Sequence, residues 1–273
     1  MLSVIICTYN RKELLTRAIE SALKQETQVP FEVVVTDDGS TDGTREHLRA
    51  RFPKDLEAGR LRYFEFPHSG DPATGRNRGA KEAKGNFYAF LDSDDLWHAG
   101  RLASVQSFLG EKDLILETRG IPGLTTGGAG IPNENEKSSA PLSDPLRLFI
   151  WQNYGTLSSA VISRKLFLAV GGFPEGYFPG PSQKIFSGFE DYELWLKCLV
   201  YLKKNHAFDR VLLLENRYVA YEPQPAGLGD VRVRRQMYQE AMTLLRIAPG
   251  SPIEYWPLFL RRIAGATKAI LIG

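Results

Sequence analysis

The sequence lacks a long hydrophobic run, and it has only two cysteines among its 273 residues. A membrane-spanning helix needs about 18 or more consecutive apolar residues, so we expect none here. Two cysteines cannot form the disulfide framework of a small secreted domain, and the apolar surroundings of Cys7 predict a small core residue. Because the apolar run at 2–7 is too short for a secretory signal, we expect a cytoplasmic protein.

Motifs of several enzyme classes are missing as well. No Gly-x-Gly-x-x-Gly follows the first apolar run, and neither a Walker A sequence nor a Gly-x-Ser-x-Gly elbow occurs in the chain. The four histidines lack the spacing of zinc ligands. The net charge of +2 gives no overall electrostatic reason to expect binding to nucleic acid. These absences argue against several enzyme classes, but they do not indicate an activity.

Short apolar runs alternate with amphipathic segments through the first part of the chain. The apolar runs predict buried strands at 2–7, 31–35, 61–66 and 86–91. The segments between them predict helices at 14–23, 41–51 and 72–84. We expect Asn10 to cap the first helix. Regular alternation of this kind predicts a parallel α/β sheet with right-handed crossovers.

The pattern is weaker after residue 116. Strands are expected at 160–162 and 211–221, and the second is long enough to continue the sheet. Helices are expected at 191–202, 231–247 and 255–272. Segments rich in Gly and Pro predict long loops at 120–143 and 171–188, and loops of this length usually carry function or move.

Polar residues follow three of the predicted strands, at Thr8–Arg11, Asp37–Ser40 and Asp92–Asp95. Open α/β sheets bind their ligands at the carboxyl ends of the strands. The three clusters are therefore expected to converge on one edge of the sheet, where they form a candidate ligand site.

The cluster Asp92–Asp95 contains three carboxylates within four residues. Like charges this close repel each other, and a divalent cation with oxygen ligands would offset the repulsion. A solvated acidic turn or a helix N-cap is the alternative, because Asp is favoured at both. The spacing alone leaves both interpretations open.

The acidic segment Asp37–Gly43 has the beginning of an EF-hand calcium loop but not its end. Its twelfth position would be Arg49, where a bidentate Glu is required, so we reject that interpretation. Two hypotheses remain. The segment is a capped turn, or it presents a carboxylate at the sheet edge to accept hydrogen bonds from a ligand.

Two further segments carry charge at predicted helix starts. Gly75–Gly79 places Arg76 and Arg78 near a helix N-terminus, which suits a diphosphate or simply an exposed basic turn. Glu190 and Asp191 begin an amphipathic helix after a glycine-bearing loop, where acidic residues also stabilise the helix dipole.

The order and approximate spacing of these segments resemble the family-2 glycosyltransferases, which have the GT-A fold. The likeness covers residues 1–222, and its motifs are specific only in combination. It implies a mostly parallel central α/β sheet flanked by helices, with C-terminal helices. The matching stretches are Ser3–Arg11, Phe31–Gly43, Gly75–Gly79, Gly85–Asp95 and Glu190–Asp191.

The resemblance also implies a role for individual residues. Asp191 would be the catalytic base, and Asp94 would bind Mg²⁺ or Mn²⁺ while Asp92 faces the ribose or a metal-bound water. Thr8 and Tyr9 would line the nucleobase pocket. The residues expected to bind the nucleotide sugar are Thr8, Tyr9, Arg11, Asp38, Arg76, Asp92 and Ser93.

The implied activity is metal-dependent, inverting transfer of one sugar from a nucleotide-diphosphate donor to an acceptor hydroxyl. The acceptor would be a cell-surface glycan or a lipid-linked saccharide. The Gln-x-x-Arg-Trp sequence of the processive synthases is missing, since Gln236 precedes Met237 and Tyr238, so we expect non-processive transfer. Many members carry a His-containing loop near the metal, whereas Arg217–Gly227 has no His.

Two other activities remain as alternatives. A sugar nucleotidyltransferase would carry a Gly-rich loop directly after the first strand, and Thr8–Arg11 lacks the glycines. A non-catalytic sugar-nucleotide-binding module would not need Asp92, Asp94 and Asp191 together.

We divide the chain into a catalytic domain and a C-terminal extension. The domain spans 1–222, with a nucleotide-binding half at 1–102 and an acceptor half at 103–222, and 223–273 forms a helical extension. Residues 230–273 carry seven basic and three acidic side chains. A basic amphipathic helix at 255–272 either packs on the domain or makes a peripheral contact with the inner face of the cell membrane.

Overall fold

The computed structural model describes residues 1–118, 144–151, 153, 155–176, 189–215, 218–220 and 241–272. The strands within these residues are β1 (Leu2–Thr8), β2 (Phe31–Asp37), β3 (Leu61–Glu65), β4 (Phe87–Phe90), β5 (Leu96–Trp97), β6 (Leu114–Thr118), β7 (Gly155–Ser163), β8 (Val211–Glu215) and β9 (Val219–Ala220). The helices are α1 (Lys12–Leu23), α2 (Thr44–Arg51), α3 (Pro53–Glu57), α4 (Pro72–Glu82), α5 (Arg101–Gln106), α6 (Pro145–Trp151), α7 (Arg164–Ala169), α8 (Glu190–Lys204), α9 (241–247) and α10 (Trp256–Ile272).

Seven strands of the described residues form one mixed, mostly parallel sheet in the order β3-β2-β1-β4-β7-β6-β8. The strands β3, β2, β1 and β4 run parallel, as the alternating pattern predicts. β7 runs antiparallel to both β4 and β6, so β4 and β6 have the same direction. The predicted central sheet flanked by helices, with C-terminal helices, is confirmed.

Two hydrophobic layers cover the faces of this sheet. On one side α1 buries Leu15, Ala18 and Ile19 against β1 and β2. On the other side α8 lies at the centre of a larger cluster, and its Trp195 is fully buried. Burial of a large apolar side chain contributes about 1.5 to 3 kcal/mol of hydrophobic stabilisation, so Trp195 alone makes a sizeable contribution to this layer.

The C-terminal helix belongs to this second layer. Tyr255 and Phe259 are buried in the same cluster as α8, and the Tyr255 hydroxyl donates a hydrogen bond to Asp144 Oδ2 at 2.8 Å. Trp256 and Leu260, also on α10, are exposed. Only part of the predicted helix at 231–247 can be assessed, because 221–240 lie outside the described residues.

Helix α4 approaches β1 closely because two glycines face the strand. A Cβ on Gly75 would lie 2.2 Å from Cys7 Sγ, and one on Gly79 would lie 2.5 Å from Ile5 Cγ2. Asp71 caps the helix by accepting a hydrogen bond from the Ala73 N–H at 3.0 Å. The close approach brings the side chains of α4 to the carboxyl edge of the sheet.

The structure corrects three sequence expectations. Asn10 does not cap α1, because the Asp42 carboxylate accepts from the Lys12 N–H at 3.0 Å while Asn10 accepts from Thr41 N–H. The helix predicted at 41–51 begins at Thr44, where Asp42 Oδ1 accepts from Thr44 Oγ1 at 2.5 Å.

The third correction concerns the expected long strand at 211–221. The chain leaves the main sheet after β8, and β9 pairs with β5 in a separate two-stranded ribbon. The loop predicted at 120–143 lies outside the described residues, as does most of the one predicted at 171–188. No helix of the described residues combines the length and apolar character that a membrane crossing requires.

Candidate active site

The three polar clusters meet at the carboxyl edge of the parallel strands. Asn10 N–H donates to Ser40 Oγ at 2.8 Å, which joins the cluster after β1 to the cluster after β2. The Arg11 guanidinium contacts Asp94 Oδ2 at 2.7 Å, which joins the first cluster to the one after β4. One continuous polar site therefore lies at this edge.

The turn Asp92–Asp95 leads into strand β5 and not into a helix, so it is not an N-cap. Asp94 is paired with Arg11 and Asp92 with Arg76, whose NH2 lies 2.8 Å from Asp92 Oδ1. Asp95 is buried, and its Oδ2 accepts a hydrogen bond from Ser158 Oγ at 2.5 Å. Ser93 is buried as well. The three carboxylates therefore point in different directions, and each has a specific partner.

The guanidinium of Arg76 bridges two distant parts of the chain. It contacts Asp92 on one side, and on the other its NH1 lies 2.5 Å from Glu190 Oε1 in the first turn of α8. Both Arg76 and Glu190 are buried. Burial opposes the charged form of Arg76, but Asp92 and Glu190 more than offset that effect and raise its pKa. A diphosphate that contacts Arg76, as the sequence predicts, would therefore have to share its guanidinium with Asp92 and Glu190.

Asp191 has a different environment from its neighbour Glu190. Burial, followed by the negative charge of Glu190, raises the pKa of Asp191, and the positive charge of Arg76 only partly opposes the rise. Its Oδ1 accepts from the Tyr192 N–H at 2.6 Å. Two adjacent carboxylates with different environments are a common arrangement at acid–base sites. The helix dipole favours both residues equally and does not explain this difference.

Tyr9 and Asp38 lie beside the segment that follows β3. The Tyr9 ring stacks on the His68 ring with centroids 4.0 Å apart, and 42% of Tyr9 is exposed. The Asp38 carboxylate accepts from the Ser69 and Gly70 N–H groups and from the Ser69 hydroxyl. Asp38 thus holds the segment 68–70 beside Tyr9. A nucleobase that forms a hydrogen bond with Asp38 would have to share this carboxylate with Ser69 and Gly70.

Asp37 and Thr8 complete this part of the edge. Asp37 accepts from the Ser40 N–H at 2.7 Å and from the Tyr63 hydroxyl at 2.5 Å, so it closes the turn that the sequence predicted. Arg78 contacts Asp38 at 3.2 Å and is not an exposed basic side chain. The buried Thr8 Oγ1 has no hydrogen-bond partner among the described residues.

The carboxylates of Asp92 and Asp94 fit a hard divalent cation in part. Arg76 and Arg11 contact one oxygen of each, Asp92 Oδ1 and Asp94 Oδ2. In the described part of the chain no cluster of three or more His, Cys, Asp or Glu side chains could hold a metal by itself. Mg²⁺ commonly uses one or two carboxylates and completes its shell with water and substrate phosphates. The donor set therefore fits a cation that arrives with a nucleotide.

Sequence reasoning missed several residues of this edge. His68, Asp95 and Ser158 were not named as site residues, and the contact of Glu190 with Arg76 was not expected. Asp95 belongs to the acidic cluster that the sequence indicates, but its burial against Ser158 follows only from the fold. Ser158 lies in a strand with no motif around it, and only the folded sheet brings it to the turn.

A family model described as "Glycosyl transferase family 2" matches residues 3–142. Among curated relatives, the chain is 29% identical over 252 residues to the poly(ribitol-phosphate) beta-N-acetylglucosaminyltransferase TarS of Staphylococcus aureus, covering 90% of this chain and 40% of TarS. It is 29% identical over 202 residues to the UDP-Glc:alpha-D-GlcNAc-diphosphoundecaprenol beta-1,3-glucosyltransferase WfgD of Escherichia coli, covering 73% of this chain and 70% of WfgD. With 44% identity over 113 residues it matches an uncharacterized glycosyltransferase of Rickettsia felis, covering 41% of this chain but only 18% of that relative.

Solved structures share the fold. The crystal structure of TarS 1–349 in complex with UDP-GlcNAc superposes with a TM-score of 0.59 at 22% identity, covering 98% of this chain and 81% of that one. The mannosyltransferase PcManGT from Pyrobaculum calidifontis, in complex with GDP-Man and Mn²⁺, gives a TM-score of 0.61 at 18% identity, covering 98% and 73%. At these identities the likeness shows the GT-A fold alone.

The two arginines that contact the turn Asp92–Asp95 should differ in their effect on stability. Arg76→Ala removes the buried cation that contacts the Glu190 carboxylate, so we expect a loss of about 3 to 5 kcal/mol in the free energy of unfolding. Arg11→Ala removes a pair in which 49% of the Arg11 side chain is exposed, and we expect a loss of about 0 to 1 kcal/mol. Urea unfolding measures both, and equal losses would contradict the bridging role of Arg76.

Proposed function

This chain belongs to glycosyl transferase family 2, and we propose that it transfers a single sugar from a nucleoside-diphosphate sugar to an acceptor hydroxyl. The observation that carries the proposal is the Arg76 bridge, which joins Asp92 at the sheet edge to Glu190, the neighbour of Asp191. Donor phosphates and a proton acceptor need to be held side by side for this reaction, and the bridge ties their candidate residues together.

For the donor, we assign the carboxyl edge of β1, β2 and β4. Thr8 and Tyr9 line the nucleobase pocket and Asp38 accepts a hydrogen bond from the base, while Arg11, Arg76, Asp92 and Ser93 lie toward the ribose and the diphosphate. The stacked and partly exposed ring of Tyr9 supports the base pocket. TarS and PcManGT were solved with UDP-GlcNAc and GDP-Man, which supports a nucleotide sugar as the donor class.

For the metal, we assign Asp94 together with Asp92. A bound Mg²⁺ or Mn²⁺ would neutralise the charge that develops on the departing diphosphate. Asp92 and Asp94 would hold that cation at this edge, and Arg11 and Arg76 hold the two carboxylates in place beforehand. The Mn²⁺ in the PcManGT complex supports a divalent cation for this fold.

For the proton, we assign Asp191 as the general base. Its carboxylate would accept the proton of the acceptor hydroxyl as that oxygen attacks the anomeric carbon on the face opposite the leaving diphosphate. One direct displacement of this kind inverts the anomeric centre. The raised pKa of Asp191 supports the assignment, because a base is most effective when its pKa lies near the working pH.

For the acceptor, we propose a cell-surface glycan or a lipid-linked saccharide. TarS is named for poly(ribitol-phosphate) and WfgD for GlcNAc-diphosphoundecaprenol, a lipid-linked saccharide. Because the chain spans only 40% of the length of TarS, we propose the class of acceptor and not a particular acceptor. The missing Gln-x-x-Arg-Trp sequence supports transfer of one sugar at a time.

Replacement of the proposed base gives the direct test of this assignment. We expect Asp191→Asn to lower kcat by about 10²- to 10⁴-fold, because general-base assistance has that value, while binding of the nucleotide remains. Release of nucleoside diphosphate from a panel of UDP- and GDP-sugars, with an acceptor saccharide and Mn²⁺, gives the rate. A separate assay supplies a nucleoside triphosphate and a sugar 1-phosphate, and release of pyrophosphate from that pair would instead indicate a nucleotidyltransferase.

The matched control for Asp191→Asn is Glu193→Gln. Glu193 lies in the same first turn of α8, and it pairs with Lys197 and Arg246. If negative charge at the helix start were all that mattered, the two variants would lose activity equally. Near-normal turnover by Asp191→Asn would remove Asp191 from the base role.

For location, we propose a cytoplasmic protein whose α10 touches the inner face of the membrane. The apolar residues Trp256 and Leu260 are exposed on α10, beside Arg261, and aromatic and basic side chains together favour anionic lipid surfaces. We expect Trp256→Gln with Leu260→Gln to reduce co-sedimentation of the full chain with anionic liposomes severalfold. Leu168→Gln on α7, where 63% of Leu168 is exposed, is the control. Equal binding by all variants would contradict the contact.

A further inference from the structure

Strand β7 lies beside β4, and its register leads directly to the acidic turn. The paired residues of the two strands run from Phe87 opposite Ser163 to Ala89 opposite Val161. Continued by the same antiparallel register, this pairing places Ser158 opposite Asp92. The two strands separate at this point, because β4 ends at Phe90 and the chain turns toward β5.

The Ser158 hydroxyl replaces a main-chain hydrogen bond at the point of separation. Its Oγ accepts from the Asp92 N–H at 3.0 Å, and it donates to Asp95 Oδ2 at 2.5 Å. The Ser158 carbonyl accepts from Trp97 Nε1 at 2.7 Å. Ser158 therefore contacts the first residue of the turn, the last residue of the turn, and the strand that follows it.

Burial makes these contacts selective for a hydroxyl. Ser158 is 1% exposed and Asp95 is 7% exposed, so water cannot easily replace either bond. A single side-chain atom must accept from an N–H and donate to a carboxylate, and a hydroxyl does both. Alanine does neither, and a buried group that loses its partner is costly.

We infer that Ser158 is a positioning residue for the proposed metal and diphosphate site. It holds the turn at both ends, through the Asp92 N–H and the Asp95 carboxylate, so that Asp92 and Asp94 are fixed in place before a ligand arrives. A site that is ordered in advance loses less entropy when it binds. This inference rests on the proposed function, since it concerns the cation and the diphosphate assigned to that turn.

The neighbouring residue Ser159 provides a matched control. Ser159 is also fully buried on β7, but its Oγ donates to the Glu117 and Thr156 carbonyls at 2.8 and 2.9 Å and makes no bond to the turn. Ser159→Ala thus removes buried hydrogen bonds from the same strand without releasing Asp92 or Asp95. A difference between the two alanine variants reports the turn and not the general stability of the strand.

The experiment measures Mn²⁺ binding directly. Titration of the full chain with Mn²⁺, followed by the electron paramagnetic resonance signal of the free ion, is run with UDP and separately with GDP. We expect the apparent dissociation constant of Ser158→Ala to rise by about tenfold or more, as partners of metal ligands typically show, while Ser159→Ala stays within about twofold of the original chain. Ser158→Cys replaces the hydroxyl by a somewhat larger thiol that forms only weak hydrogen bonds, and we expect its dissociation constant to rise as that of Ser158→Ala does.

Each outcome has a defined meaning. If the unsubstituted chain binds neither nucleotide with Mn²⁺, the proposed metal site is wrong and this inference falls with it. If that chain binds and folded Ser158 variants bind equally well, the inference alone is wrong. If both Ser158 variants fail to fold while Ser159→Ala folds, as seen by circular dichroism, Ser158 supports the fold in general and the positioning role is overturned.

Discussion

The Arg76 guanidinium, held between the carboxylates of Asp92 and Glu190, is the interaction on which the rest of the site depends. Burying a carboxylate such as Glu190 is costly unless a cation compensates it, and Arg76 supplies that cation from α4. The helix can deliver it because Gly75 and Gly79 let α4 lie against β1. The close packing of α4 on β1 thus sets the distance that Arg76 bridges between the acidic turn and the start of α8.

The acidic turn Asp92–Asp95 is the second constraint. One of its carboxylates holds the turn in place, and the other two remain able to bind a cation. Asp95 is used internally, through its bond to Ser158, while Asp92 and Asp94 each keep one oxygen against an arginine. The arginines neutralise the two carboxylates and limit their mutual repulsion. An incoming cation would take the place of the arginines beside the two carboxylates, and the diphosphate that comes with it would offer negative charge to the arginines. No charge would therefore be left without an opposite charge nearby.

Local patterns in the sequence were sufficient for β1 to β4, α1 and α4, because buried parallel strands are short β-branched runs and amphipathic helices have a clear period. They placed the start of α2 three residues too early and did not indicate the short helix α3. They failed at 211–221, where apolar residues resume at 218–221 although the chain has left one sheet for another. They also failed for contacts between distant segments. Arg76 and Glu190 are 114 residues apart and Ser158 and Asp95 are 63 apart, and no short motif encodes such pairs. Asp42, and not Asn10, caps α1, because the fold places the Asp42 carboxylate against the Lys12 N–H although the two residues are distant in sequence.

The most direct test of the central claim is a crystal structure of the chain with Mn²⁺ and the nucleoside diphosphate that it binds. The account predicts a cation between the diphosphate and Asp94, with the Arg76 bridge to Glu190 intact and the Asp191 carboxyl facing the space where the sugar would lie. A diphosphate bound away from Asp92 and Asp94, with no cation between them, would contradict it.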